Sequence, residues 1–324
     1  MFQFLARRSV ALVLTALLAL AAGHVLFNAN TGVKSMGWGA AIADTPAHMV
    51  DLVTGELGDT TGEGCNPGRK RKPDYIELCT GWGAGSVAAM MRDRVPVDLQ
   101  LIIGGMLLGT LLGIAAGRWC AAHPGTWLTR ALHVAMAFLL SCPPYFLAFV
   151  VLVYFSWSSG EYKLPFVSGQ GDYRPFSDDP MAFLKAMWVP WVCCALPLAA
   201  VVARIAEASM RDALGEDFIR TAQAKGVPTR RVINHHALPV ALPPITAMTG
   251  VNISTMLISV AAIEFGFGIP GMFLTIRGAI YSRDVPVLEA LVLEAVVLVV
   301  VANFLVDAYQ AHLDPRVRDG GSGF

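Results

Sequence analysis

The stretch Gly215–Pro239, GEDFIRTAQAKGVPTRRVINHHALP, decides how the rest of the chain is read. It is the most polar long segment in the second half of the sequence, and apolar runs of membrane length stand on both sides of it. Locally it spells a short helix with both ends marked. Gly215 can take the N-cap, and Glu216 and Asp217 put negative charge in the first turn, where the helix dipole favours it. Lys225 lies near the far end, Gly226 suits a left-handed stop, and Pro228 follows it. Thr229 is then placed to cap a second helix that climbs into the next apolar run. Ala222 and Gly226 share a helix face small enough to let another backbone come close.

Composition bounds the class. Of 324 residues, 55% are hydrophobic and 15% charged, whereas soluble domains carry about a quarter charged residues. The core is therefore not one water-soluble globule. Net charge is zero, which argues against a nucleic-acid partner. Cys120, Cys142, Cys193 and Cys194 fall in or beside apolar runs, where a thiol packs. Cys65 and Cys79 lie in a polar loop and form a candidate disulfide if that loop faces an oxidising compartment, two free thiols being the alternative.

Six apolar runs follow one another. Arg7 and Arg8 precede the first, which reaches about Phe27. The same pattern describes a signal peptide, with a cleavage site near Ala19-Leu20-Ala21. An uncleaved first span, residues 1–27, is the reading adopted, since the run is long enough to cross about 30 Å of hydrocarbon. The others lie at about Val97–Trp119, Leu132–Phe155, Trp188–Ala206, Val240–Ile263 and Val287–Tyr309. The fold class expected is an all-α integral membrane protein of six transmembrane helices. A long loop or small subdomain, 28–96, separates the first span from a core of five spans, 97–318, and a tail, 319–324, closes the chain. The basic run GRKRKPD, Gly68–Asp74, reads as a solvated turn of that loop. No internal repeat is visible, so an inverted-repeat carrier has no support.

Positive charge near helix ends sets the orientation. With the N-terminus in the cytoplasm, the inner loops hold Arg118, Arg130, Arg204, Arg211, Arg220, Lys225, Arg230, Arg231, Arg316 and Arg318. Both termini and the Gly215–Pro239 segment then lie inside, and the 28–96 loop outside.

Gly226 followed by Leu238-Pro239, together with Asp217-Phe218-Ile219-Arg220-Thr221-Ala222-Gln223-Ala224-Lys225-Gly226, resembles the cytoplasmic coupling loop of ABC importer permeases, in the dipeptide/oligopeptide branch. Trp82–Ser86 and Arg94–Leu99 resemble the family's approach to its second span. Glu264–Gly271 resembles its external segment after the fifth span. Arg283–Val287, Asn303–Asp307 and Leu313–Arg318 resemble its sixth span and tail. The likeness runs from about Trp82 to Arg318, and residues 28–81 match nothing in it.

The resemblance implies a type I ABC importer permease fold. It implies a homologous second permease subunit, two ATP-binding subunits, an extracytoplasmic substrate-binding protein and a plasma-membrane setting. The helix 215–226 would lie in a groove of an ATPase, with Ala222 and Gly226 as its small face and Glu216, Asp217, Arg220, Thr221 and Lys225 around it, and Leu238 and Pro239 closing the loop. The outer stretch Gly266–Arg283, with Gly268, Pro270, Gly271 and Arg277, and the long first loop are the candidate contacts for the binding protein. The cargo implied is a di- or oligopeptide, with nickel, heme or glutathione as alternatives.

Glu294 stands inside the last span, where a charge costs about 2.5–3.5 kcal/mol on insertion scales. It should face another helix or water. It either lines the route for the cargo or bonds to a neighbouring helix. Asn252 and Ser254 are weaker lining candidates. Asn303 and Asp307 suit a capping or intersubunit role. No metal site is expected: His235 and His236 are adjacent and point apart on a helix, unlike an i,i+4 pair. The chain has no phosphate-binding GxxxxGK[ST] loop, so ATP and magnesium belong to partner chains and no cofactor is expected in this one. No catalytic set is evident, which leaves an intramembrane hydrolase or a stand-alone ion-coupled carrier as remote alternatives.

Overall fold

The computed structural model describes residues 2–313 apart from 31–36, 56, 61–85, 157–160, 163, 165, 166 and 170. Cys65, Cys79, Arg316 and Arg318 lie outside the described residues. Those described form helices α1 (Phe2–Asn30), α2 (Trp38–Thr54), α3 (Val87–Ala122), α4 (Trp127–Ser141), α5 (Pro144–Phe155) and α6 (Pro180–Gly215). They continue as α7 (Asp217–Ala224), α8 (Thr229–Val232), a π-helical turn (Ile233–Ala237), α9 (Leu238–Phe267), a 3₁₀ turn (Phe273–Thr275), α10 (Ile276–Ser282) and α11 (Val285–Leu313). The one β-bridge among them pairs Asp59 with Ser86.

Among the described residues, four helices are long and apolar enough to cross a bilayer: α1, α3, α6 and α11. The other two expected spans are bent. α4 and α5 meet at 100°, and the helix from Thr229 turns by 51° at residues 253–255, so the count reaches six if each bent pair is one span. The sharper bend has a local cause. Pro143 and Pro144 supply no N–H to a continuing helix, and a residue before proline avoids the helical region. Cys142 accordingly takes φ −96, ψ 119. The boundaries after the first span also differ from those expected. α3 begins at Val87 rather than Val97, and part of the expected loop is the helix α2, closed by a left-handed Gly55.

The chain divides into two compact units, one of residues 1–4, 101–267 and 305–324, the other of 5–100 and 268–304. In the first unit α6 is the centre: 67% of its most apolar stretch is buried, against 11% for α1. Asp179 caps it, its Oδ1 accepting from the Met181 and Ala182 N–H groups at 3.0 Å each. α3 lies against α6 along Gly105, Gly109, Gly113 and Gly117. A Cβ at Gly109 would stand 2.8 Å from the Ala195 carbonyl oxygen, and one at Gly113 would stand 2.6 Å from Val202 Cβ. In lipid, where apolar side chains gain nothing by leaving hydrocarbon, such close backbone contact drives helix pairing. The core continues from Leu198, Val202, Ala206 and Met210 of α6 to Ile219 of α7 and to Ala237, Ala241 and Ile245.

The second unit has a more polar interior. His24, Asp98, Asp284, Glu289 and Glu294 are all buried in it. The segment after Gly268 is pinned to α3: Asp98 Oδ2 accepts from the Met272 N–H at 2.8 Å, and Arg94 donates to the Gly271 carbonyl at 3.2 Å.

Candidate functional site

The polar segment folds as a bracket within the first unit. α6 runs to Gly215, so the residue flanking α7 is Glu216 rather than Gly215, and the helix spans 217–224 rather than 215–226. No side chain caps it, but Asp217 stands in its first turn, as the dipole favours. Gly226 ends it at φ +76, with its N–H donating to Gln223 O at 2.9 Å and the Val227 N–H to Ala222 O at 3.2 Å. Pro228, not Thr229, flanks the next helix, and Thr229 is its first residue.

The two faces of α7 differ sharply. Ile219 is fully buried, and Ala222 packs, half-buried, against the same core. The outward surface is Phe218, 44% exposed, with Asp217, Arg220, Thr221 and Lys225 around it. The small face read from Ala222 and Gly226 therefore divides. Ala222 turns into its own bundle, because the apolar i,i+3 pair Ile219/Ala222 must be covered. Nothing lies within 4 Å of a Cβ built on Gly226, so glycine is required there by backbone conformation and not by close approach.

The rest of the bracket is held from α3. Arg118 donates to Asn234 Oδ1 at 3.1 Å, at the π turn that contains His235 and His236. The Leu238 N–H donates to Ile233 O, five residues back, and Pro239, which has no N–H, comes next. Leu238 is half-buried and Pro239 exposed. Nearby, Glu207 of α6 receives both Arg211 and His133, the latter at 2.8 Å.

Other expected site residues are scattered. Asn252 turns its amide back to donate to Met248 O at 2.8 Å, as Asn303 does to Val299 O at 2.9 Å. The side chain of Ser254 lies outside the described residues. Of the stretch that follows α9, Gly271 is buried, Gly268 and Pro270 are half-buried, and Arg277 is exposed. Glu294 is 2% exposed and stands beside the Asp98 carboxyl of α3. It thus faces a neighbouring helix and not lipid. The sequence reading did not single out Asp98. The available signal was an acid inside an apolar run, the same one that marked Glu294.

The chain is similar to known proteins over most of its length. The family described as "Binding-protein-dependent transport system inner membrane component" matches residues 109–319. A probable peptide ABC transporter permease of Sinorhizobium fredii is 28% identical over 232 residues, 72% of each chain. The dipeptide transport system permease protein DppB of Escherichia coli is 29% identical over 279 residues, covering 75% of this chain and 80% of that one.

Proposed function

The chain belongs to the family of binding-protein-dependent transport system inner membrane components, and from that premise we propose that it is the transmembrane permease subunit of an ATP-driven importer of di- or oligopeptides. It forms half of the translocation pathway beside a homologous permease. Two ATPase chains dock on its cytoplasmic side, where both termini lie, and a binding protein delivers cargo from the other side. The observation that carries this reading is the construction of α7. Its inner face is fixed into the core by Ile219 and Ala222, while its outer face offers an exposed aromatic in a charged rim. A rod anchored in that way moves with the core when its outer face is pulled. ATP-driven closure of the partner chains would pull on Phe218, Thr221 and Lys225, and α6 and α9 would follow. Peptide cargo rests on the names of the relatives. Glu294, with Asp98 beside it, is the proposed contact for the cargo's amino group, with Asn252 and Ser254 secondary.

The test is a reconstituted complex with its ATPase chains in vesicles. Phe218→Asp should leave insertion and the folded state intact while uptake of a labelled dipeptide falls at least about tenfold. Gly226→Asp should act similarly. Ala222→Glu is a poorer probe than the sequence alone suggests, because it puts a charge against the core. Uptake unchanged in both Phe218→Asp and Gly226→Asp would exclude α7 as the coupling element. Competition by nickel, heme or glutathione against the dipeptide separates the alternative cargoes.

A further inference from the structure

His24 on α1, His48 on α2 and Glu289 on α11 converge within the second unit. One donor atom from each lies within 4.8 Å of the other two. His24 Nδ1 is 2.9 Å from Glu289 Oε1, and His48 Nε2 is 3.0 Å from Glu289 Oε2. The two imidazoles stack with centroids 4.1 Å apart. Helical spacing prepares the cluster. His24 and Asn28 are one turn apart on α1, as are Asp44 and His48 on α2, so each helix presents two polar side chains on one face. Asn28 donates to Glu289 Oε1 at 2.8 Å and holds that carboxylate in place.

Two features set this apart from a closed hydrogen-bond network. His24 is 3% exposed, yet its Nε2 has no hydrogen-bond partner, and the Asp44 carboxylate stands 3.6 Å away. In the neutral ring with Nδ1 donating to Glu289, Nε2 presents a lone pair toward Asp44, acceptor to acceptor. The spacing is also that of ligands around an ion. Metal–ligand bonds of about 2.0–2.2 Å in a tetrahedron put donors roughly 3.3–3.5 Å apart, and His24 Nδ1 and His48 Nε2 lie 2.9 and 3.0 Å from the Glu289 oxygens. A second cluster, Cys120 with His133 and Glu207, meets the same distance test. There Glu207 is already engaged by Arg211, and a guanidinium next to the carboxylate opposes a cation.

We propose that His24, through Nδ1, His48 and Glu289 bind a borderline transition-metal dication, zinc being the best match to two imidazoles and a carboxylate, that water completes the shell, and that Asp44 accepts from the His24 Nε2–H. The site is structural: the ion ties α2 to α1 and α11. Asn28, donating to Glu289, acts as the outer partner that orients a ligand. Loss of a proton from His48 accompanies binding, so affinity falls in acid.

The experiment uses the full chain with its copurifying subunits, stripped with chelator and titrated with zinc alone, then with cobalt(II) as an optical probe. The expected result is one zinc per chain, an intense tetrahedral cobalt absorption, and affinity lowered by roughly tenfold or more in both His48→Ala and Glu289→Gln. His133→Ala, at the second cluster, should change neither. Zinc should raise the unfolding temperature of the wild type and not of His48→Ala, which separates lost binding from a failure to fold. No retained zinc in the wild type, or zinc lost through His133→Ala and kept in His48→Ala, would overturn the assignment.

Discussion

The α3–α6 seam of the first unit and the interior of the second are both buried, but different forces hold them. Along the seam, Gly109, Gly113 and Gly117 let backbone meet backbone, against Ala195, Val202 and Ala203 of α6. In the second unit, Asp98 holds the Met272 N–H, Glu289 holds Asn28 and two histidines, and Glu294 stands against Asp98. The contrast follows from the solvent. In hydrocarbon a dry seam gains stability only from close packing, so it fails by steric overlap. A polar interior fails by loss of a partner, because each buried donor or acceptor must be satisfied.

That contrast predicts a graded series of effects. The largest is at the seam. Gly113→Leu would drive a side chain into Val202, since even its Cβ would lie 2.6 Å from Val202 Cβ. Overpacking of this kind costs about 1–3 kcal/mol and can exceed that where backbone cannot move. The check is a thermal melt in detergent, with Val202→Ala added to restore part of the loss. A Gly113→Leu protein as stable as the wild type would show that the seam is loose.

Asp98→Ala comes next. It leaves the buried Met272 N–H without an acceptor, a loss of about 1–3 kcal/mol. Asp98→Asn keeps an acceptor and adds a donor toward Glu294, and should be close to neutral. Equal damage from both substitutions would mean that the charge, not the hydrogen bond, matters.

Gly226→Ala is smaller still. There is room for the methyl group, but φ +76 costs an L-residue about 1–2 kcal/mol. Protease susceptibility at the 224–228 turn should rise while the seam stays intact. If Gly226→Ala proves as harmful as Gly113→Leu, α7 is bound to its surroundings more tightly than its exposure implies.

The smallest effect is a pH dependence. Glu289, by hydrogen bonding to His48, raises the His48 pKa above the ordinary histidine value, burial opposes this, and Asp44 and Asp51 add to it. A raised folded-state pKa means stability that is fully present below about 6.5 and is lost as pH rises through the folded value. In metal-free protein the melting temperature should therefore decline with rising pH in that window, and the decline should vanish in Glu289→Gln. With zinc bound the trend reverses, because a deprotonated His48 is the ligand.

How far the sequence reached can be judged at particular residues. The left-handed end at Gly226 was legible because it depends on one residue's allowed torsions. The inward turn of Ala222 was not, because spacing places Ala222 and Gly226 on one face but does not say which way that face points. The glycines from Gly105 to Gly117 recur at a visible period, yet which helix they receive depends on packing. His24, Asp44, His48 and Glu289 look like four separate polar residues in a linear reading.

The sequence by itself determined an all-helical chain of membrane-length apolar runs, a polar bracket between two of them, and membership legible from residues 217–226 onward. Those features are set by local periodicity, by torsional limits at glycine and proline, and by the cost of charge in hydrocarbon. Only the tertiary structure decided that Ile219 anchors α7, that Glu294 meets Asp98, and that two histidines meet Glu289. Each of these depends on how helices rotate about their axes and close on one another, which no stretch of chain specifies alone.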